Sequence, residues 1–393
     1  MEQLTTATLT QLPQVRALGR HTGRDPLTLF WTASGMELEF TGSELWVDLF
    51  ADYEMVEPWV SVELNGAWVA RFAVNPGKSR ICLFRGMTPG KAKHLRLLKD
   101  VQAMHDDPAH LLQITGLEYA GGEFLPLPEP QYRLEFVGDS ITSGEGAIGA
   151  KPEEDWVGAF FSAENHYGRL TADALGAEYR CISQSGWGLV TGWDNDVRHV
   201  MPPYYTQVCG VAMGQRNAAL GAQQDNDFAA WKPDAVIVNL GTNDTGAFDN
   251  PPWQDPATGK THQMRRLSNG DFHPADAQSG KWCTAFPDAA PGEEPRGKAG
   301  VVHRDAGQRA AAGIAAGHGA VQGHYRRQLR LSAGAAQYHA GNRGCPAAPR
   351  RREPPAGGKG PDRLSENDPV KMKTGCRSVR RRSGIPNINY FFR

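Results

Sequence analysis

The sequence predicts two folded domains, an all-β jelly-roll-like sandwich at residues 1–125 and an α/β domain at 131–280, followed by a basic tail at 281–393. Three observations support this division. Apolar residues alternate with polar ones in the first part, strand and helix patterns alternate in the second, and charge and composition change in the third. A chain of 393 residues is long enough to hold two domains with their own cores.

The N-terminal part has the period-two pattern of strands with one buried face. Apolar and acidic residues alternate over 36–40, and the run 60–64 leads into Asn65-Gly66, a strong signal for a two-residue hairpin turn. Further strands are predicted at 45–49, 79–84, 94–98 and 111–118. A Gly- and Pro-rich linker at 121–130 follows, so the strands before it form a separate sandwich.

The second part alternates between strands and a helix. Strands are predicted at 134–137, 179–182 and 235–240, and an amphipathic helix at 156–175 is closed by Gly176. Alternation of this kind indicates a parallel sheet covered by helices, with a site at the carboxyl ends of the strands. We expect the sheet to be incomplete after the third strand.

Three motifs follow these strands. Gly138-Asp139-Ser140 comes directly after the first strand, where the serine hydroxyl stands clear of the backbone for attack on a carbonyl carbon. Gly186 lies in the glycine-rich run 185–188, and Asn243 lies in the run 241–244 after the third strand. Main-chain N–H groups and an amide side chain at these places are the donors that an oxyanion needs.

These motifs resemble those of the SGNH (GDSL-type) hydrolases, and the resemblance implies a flavodoxin-like α/β fold. It also implies that Ser140 is the nucleophile and that Ser140, Gly186 and Asn243 form the oxyanion hole. A jelly-roll-like sandwich ahead of such a domain is similar to carbohydrate esterase family 2, which removes acetyl groups from sugars. That resemblance covers residues 1 to about 280. On it, Trp187 or Trp193 stacks on a sugar ring, although either residue could instead pack in the core.

The fourth motif of the family, D-x-x-H, does not occur after Asn243. The histidine of that motif takes the proton of the serine. The nearest substitute is His273, preceded by Asp271, although turn residues surround it and a solvated residue is the simpler interpretation. The pairs Asp107/His110 and Asp196/His199 have the right spacing but precede Asn243, and we interpret all four as surface residues.

The tail differs in charge from the rest of the chain. Residues 291–393 carry a net charge of +13, whereas residues 1–290 carry −14. Few large apolar residues occur in the tail, so we expect it to be disordered. One explanation is a basic extension that binds a polyanion through 350–352 and 380–382. The other, which we favour, is loss of the reading frame near 278–282, which would remove the fourth motif.

No cluster with metal-ligand spacing is apparent, and serine esterases need neither metal nor cofactor. The N-terminus has no signal-peptide pattern and no run is long enough to span a membrane, which predicts a cytoplasmic protein. The expected partner is an acetylated carbohydrate substrate, with no nucleic acid and no membrane. A non-catalytic carbohydrate-binding protein is the alternative function, with polyanion binding by the tail as a third. The sequence does not predict the oligomeric state.

Overall fold

Antiparallel sheets and a parallel sheet organise the protein. In its computed structural model, residues 3–150, 155–266, 272–274 and 298–301 are described, the last two ranges as backbone only. All of them lie in one unit. None of the described helices is long and apolar enough to cross a membrane. Apart from the backbone of 298–301, the basic tail predicted at 281–393 lies outside the described residues.

The N-terminal part forms two antiparallel sheets. The strands are β1 (Thr5–Ala7), β2 (Arg16–Leu18), β3 (Leu27–Thr28), β4 (Gly35–Phe40), β5 (Glu44–Asp52), β6 (Trp59–Leu64), β7 (Ala67–Ala73), β8 (Gly77–Arg85), β9 (Lys93–Lys99), β10 (Leu111–Ala120) and β11 (Phe124–Leu125). One sheet has the order β1-β10-β5-β8 with β3 paired to β10, and the other has the order β11-β4-β9-β6-β7 with β2 paired to β4.

Strands of both sheets contribute to one apolar core, which includes Leu38, Val47, Leu97 and Ile114. The six strand runs predicted from alternation are therefore confirmed as strands. The hairpin signal is also confirmed, because Asn65 and Gly66 have positive φ angles of 54° and 78° between β6 and β7. The jelly-roll assignment and the domain boundaries stay predictions.

The predicted linker at 121–130 is only partly a linker. Phe124 pairs with Phe40 of β4, so β11 extends the second sheet. The Phe124 and Phe40 rings lie 4.6 Å apart. Aromatic packing therefore holds this segment against the core rather than leaving it as a free connection.

The second part contains a parallel sheet of four strands in the order β13 (Ala177–Ser183), β12 (Tyr132–Gly138), β14 (Ala235–Asn239) and β19 (Lys298–Val301). The first three of these are the strands that the sequence predicted. We expected the sheet to end at β14, but the backbone of β19 pairs with β14 in parallel, so that edge is covered. The remaining elements are β15 (Trp253–Gln254), β16 (Thr261–His262), β17 (Met264–Arg266), β18 (Phe272–Pro274), α1 (Ser140–Ser143), α2 (Tyr167–Leu175), α3 (Gln215–Ala219) and α4 (Thr242–Gly246).

The predicted helix at 156–175 is wrong in its first half. Helix α2 begins at Tyr167 and ends at Leu175, and Gly176, in the left-handed conformation, closes it as predicted. Arg71 of β7 donates hydrogen bonds to the carbonyls of Gly158 and Phe161, at 3.0 and 2.8 Å. Hydrogen bonds with the sandwich thus occupy backbone groups that a longer helix would need, and this tertiary contact overrides the helical pattern.

A buried ion pair joins the two parts of the molecule. Arg20 donates to the carboxylate of Glu135 on β12 at 3.0 Å, and both side chains are at most 1% exposed. Tyr205 donates to the other oxygen of Glu135 at 2.7 Å. Because both charges are paired and hydrogen-bonded, their burial is tolerated.

Candidate active site

The ends of three neighbouring parallel strands bring the three motifs together. Gly138 at the end of β12 lies beside Ser183 of β13 on one side and beside Asn239 of β14 on the other. The chain leaves each strand at this carboxyl edge, so the segments that carry Ser140, Gly186 and Asn243 all start from it. This is the edge at which open parallel sheets place ligands.

The nucleophile motif forms a short helix at this edge. The Asp139 side chain accepts a hydrogen bond from the Ile141 N–H at 3.1 Å and so caps α1. Ser140 is the first helical residue and is half-buried, and its own N–H has no acceptor within the helix. A Cβ atom at Gly138 would lie 2.0 Å from the Thr142 hydroxyl oxygen, so only glycine allows this turn.

The loop after β13 holds Gly186 with a positive φ of 78°. Its carbonyl accepts a hydrogen bond from the Trp193 N–H at 3.0 Å. Among the described residues, the Gly186 N–H donates no hydrogen bond, so it is free to bind an oxyanion. Gln102, which follows the strand β9, accepts from both the N–H and the hydroxyl of Ser185, at 2.7 and 2.8 Å.

The third motif is tied to the second. The Asn243 amide donates one hydrogen to the Trp187 carbonyl at 2.7 Å, and its other hydrogen has no partner among the described residues. The buried Asp244 carboxylate accepts three backbone hydrogen bonds, from Leu189, Val190 and Thr191, at 2.7 to 3.1 Å. Asp244 thus fixes the loop that carries Gly186.

The buried Asp139 carboxyl has a perturbed pKa. Burial raises the pKa of Asp139 to about 7, and the hydrogen bond from Ile141 opposes this change. One of its oxygens has no hydrogen-bond partner. Asp139 therefore keeps its proton over much of the acidic range.

No histidine hydrogen-bonds to the Ser140 hydroxyl in the part of the chain that the structure describes. The backbone of His273, our candidate base, lies in β18 and pairs with Arg265 of β17, but its side chain lies outside the described residues. The structure therefore describes a candidate nucleophile and candidate oxyanion donors. The base stays unassigned.

The two earlier D-x-x-H pairs are not surface pairs, and our interpretation of them was wrong. Asp107 is buried and accepts backbone hydrogen bonds from Glu54 and Met55, so it orders the chain after β5. His110 is buried as well. Asp107 therefore has a structural role in the N-terminal part.

The second pair lies in the loop beside Gly186. Asp196 is buried and forms an ion pair with Arg198 at 2.6 Å, and the His199 ring stacks on Trp187 with centroids 5.3 Å apart. His199 also lies 3.2 Å from Asp194. Asp194, Asp196 and His199 are close enough to share a metal ion, but Arg198 already neutralises Asp196.

The two candidate sugar-binding tryptophans differ in exposure. Trp187 is only 2% exposed, and it packs against His105, His199 and Tyr204. It belongs to the core, as one of our two interpretations expected. Trp193 is 52% exposed and lies against Gly186, with a ring carbon 3.0 Å from the position of a Cβ atom there. Trp193 therefore presents an open aromatic surface at the site.

Sequence reasoning missed Gln102 and the role of Asp244. Asp244 was visible as the last residue of its motif, next to Asn243. Nothing in the sequence marked Gln102 as a residue of the site, because it belongs to the sandwich and only the fold brings it to Ser185.

A parallel sheet with a capped serine after its central strand and facing donors on two neighbouring loops defines an SGNH-type hydrolase site. Residues 134–269 match the GDSL-like lipase/acylhydrolase family. The chain is 46% identical to an acetyl xylan esterase from the rumen bacterium Butyrivibrio proteoclasticus, with a TM-score of 0.66, and the match covers 68% of this chain and 72% of that one. The chain therefore belongs to the GDSL-like lipase/acylhydrolase family, with carboxylic ester hydrolases as its relatives.

Its close structural neighbours include family two carbohydrate esterases. One, from Clostridium thermocellum and solved in complex with cellohexaose, is 27% identical with a TM-score of 0.51, covering 58% of this chain and 66% of that one. The chain is also 29% identical over 218 residues to the cellulase/esterase CelE of Acetivibrio thermocellus. This match covers 54% of the chain but only 24% of that longer relative.

Proposed function

We propose that the protein is a serine esterase that removes acetyl groups from carbohydrates. The observation that carries this proposal is the convergence of Ser140, Gly186 and Asn243 at one edge of the parallel sheet. The relatives support the substrate class, since an acetyl xylan esterase and a cellohexaose-bound esterase are among them.

In the proposed reaction, the Ser140 oxygen attacks the acetyl carbonyl carbon and its proton passes to a base. The N–H groups of Ser140 and Gly186 and the free amide hydrogen of Asn243 stabilise the negative oxygen that forms. The sugar hydroxyl then leaves, and water releases acetate from Ser140. Trp193 is the residue we propose to stack on the sugar, because it is exposed beside Gly186.

The base that accepts the Ser140 proton is either outside the described residues or lost from the chain. We propose that the reading frame changes near codons 278–282, so that the other frames of the gene should encode D-x-x-H within about a hundred codons of Asn243, a distance within one domain. Translation of codons 244–393 in all three frames checks this. Finding no D-x-x-H in the other two frames would exclude the frame change.

A non-catalytic carbohydrate-binding protein is the second candidate function. The observation in its favour is that no described histidine is hydrogen-bonded to Ser140. Such a protein would bind acetylated oligosaccharides through Trp193 without turning them over.

Hydrolysis of an aryl acetate by the full chain separates these functions. An esterase should release acetate repeatedly, and Ser140→Ala should abolish turnover, whereas Ser43→Ala in the sandwich should leave it unchanged. Retained activity in Ser140→Ala would remove Ser140 from the mechanism. An inactive full chain that still binds an acetylated xylo-oligosaccharide, with loss of binding in Trp193→Ala, would favour the binding function.

A further inference from the structure

A cavity lies away from the candidate active site. It has a volume of about 830 Å³, within the range of small-molecule sites. Its lining combines residues 13–17 and 21–24 with Glu178 and Arg180 of β13 and with Trp231. Arg180 lies three residues before the end of β13, and none of the lining residues belongs to the three motif segments.

Arg180 is the unusual member of this lining. It is only 8% exposed, yet its Nε atom is buried without a hydrogen-bond partner and its side chain forms no ion pair within the described part of the chain. Its guanidinium instead lies over the Trp231 ring, 4.1 Å from the ring centroid. Burial lowers its pKa to about 10, which still leaves it charged at neutral pH. A buried charge without a hydrogen-bonded partner is costly.

The acidic groups closest to Arg180 are engaged elsewhere. Glu135 pairs with Arg20 and accepts from Tyr205. Glu178 accepts a 2.6 Å hydrogen bond from the Trp231 ring nitrogen and lies 3.9 Å from Arg16. The charges of Glu135 and Glu178 therefore act on Arg180, but neither carboxylate is hydrogen-bonded to its guanidinium among the described residues.

Two further polar atoms of the lining lack a hydrogen-bond partner. The Nδ1 atom of His21 and the Nε atom of Arg24 are buried with no hydrogen bond. Burial and the charges of Arg180 and Arg24 lower the pKa of His21, so it is neutral at pH 7. The other carboxylates are Asp225, Asp227, which caps Ala229 and Ala230, and Glu129 near Arg133.

We propose that this cavity binds a ligand with one carboxylate and several hydroxyls, a sugar acid of the uronic acid class. The flat guanidinium of Arg180, which lies over Trp231, has the geometry that makes a two-point contact with a carboxylate. The lining carboxylates favour a single negative charge over a multiply charged phosphate, and they can accept hydrogen bonds from hydroxyls. This inference does not depend on the esterase function.

The test is a titration of the full chain with sodium glucuronate, glucose or inorganic phosphate, with the thermal unfolding midpoint as the measurement. Glucuronate should raise the midpoint in a saturable way, and glucose should not. Arg180→Met should weaken glucuronate binding at least about tenfold, as expected for a lost charged hydrogen bond. Arg80→Met, which removes an exposed arginine of the sandwich, is the matched control and should retain binding.

Three results would overturn the proposal: an unchanged glucuronate response in Arg180→Met, no response in the unmodified chain, or stronger binding of phosphate than of glucuronate. Without ligand, Arg180→Met should unfold at the same or a higher temperature, because it removes an unpaired buried charge. If Arg180→Met does not fold, Arg180→Lys and Arg24→Met take its place in the test. The proposal then stands only if both of these variants fold and both weaken glucuronate binding. Otherwise Arg180 is structural and the proposal fails. Hydrolysis of an aryl acetate should be unaffected by Arg180→Met.

Discussion

The Asn243 amide nitrogen donates a 2.7 Å hydrogen bond to the carbonyl oxygen of Trp187, the residue after Gly186. This bond orients the amide and holds the loop at the same time. One hydrogen of the amide holds the Asn243 side chain in place, and the other remains available to an oxyanion. A change at Asn243 should therefore affect both the donor and the loop that presents the Gly186 N–H.

We expect Asn243→Ala to lower the turnover of an aryl acetate by about a hundredfold or more, because it removes one oxyanion donor. Steady-state hydrolysis at saturating substrate measures this effect. Asn250→Ala is the matched control, since Asn250 also donates to a tryptophan carbonyl, that of Trp193, at 2.7 Å. Equal losses in both variants would show that loop position, rather than the donor, accounts for the effect.

Asp244 is expected to contribute mainly to stability. Asp244→Ala removes the acceptor of three backbone N–H groups, and hydrogen bonds to charged groups contribute about 1.5–3 kcal/mol each. We expect a loss of at least about 2 kcal/mol in the free energy of unfolding, measured with urea. Asp244→Asn keeps one acceptor oxygen and should lose less. A loss below about 0.5 kcal/mol in the alanine variant, the range of ordinary surface substitutions, would contradict this role.

Gly138→Ala tests the steric requirement at the nucleophile turn. A Cβ atom there would lie 2.0 Å from the Thr142 hydroxyl oxygen and 3.0 Å from the Asn239 carbonyl oxygen. Overpacking of this kind costs about 1–3 kcal/mol, and we expect that loss together with reduced esterase activity. Gly246→Ala is the control, because nothing lies within 4 Å of a Cβ atom at that position. Unfolding by urea and hydrolysis of an aryl acetate measure the two effects.

Asp139→Asn should change how stability depends on pH. An unfolded chain releases an aspartic acid proton near pH 4, whereas burial raises the pKa of Asp139 in the folded protein to about 7. Between these values the folded protein binds more protons, so raising the pH lowers the free energy of unfolding. Relative to the unmodified chain, Asp139→Asn should become more stable as the pH rises from 4 to 7.

The opposite trend is expected for Glu37→Gln. Although burial opposes it, the hydrogen bond with His94 and the charges of Arg96 and Arg16 lower the pKa of Glu37 to about 2. The stability that this carboxylate provides is present above about pH 4.5 and is lost as the pH falls towards 2. Urea unfolding at several pH values measures the free energy of unfolding of both variants. Parallel curves of this free energy against pH for Asp139→Asn and the unmodified chain would contradict the expectation for Asp139.

Alternation identified the sandwich strands because each strand buries one face. Motif order singled out Ser140, Gly186 and Asn243, whose segments leave the same edge of the parallel sheet, and their roles stay predictions. Long-range contacts explain what was missed. The prediction of a helix at 156–175 was wrong in its first half because Arg71, far away in the sequence, binds carbonyls of that segment. Asp107 and Asp196 look like surface residues in the sequence, and only the fold shows the backbone groups and the arginine that they bind.

The Arg20–Glu135 pair also bears on how this chain can be divided or recombined with others. A fragment that begins at residue 131 would keep the Glu135 carboxylate in the first strand of its sheet but lose the guanidinium that neutralises it. Breaking such a pair from one side costs about 3–5 kcal/mol, a large part of the stability of a typical domain. The N-terminal sandwich is therefore an internal scaffold of the part that carries the parallel sheet, and a chimaera with a foreign sandwich would have to supply an arginine at the same place.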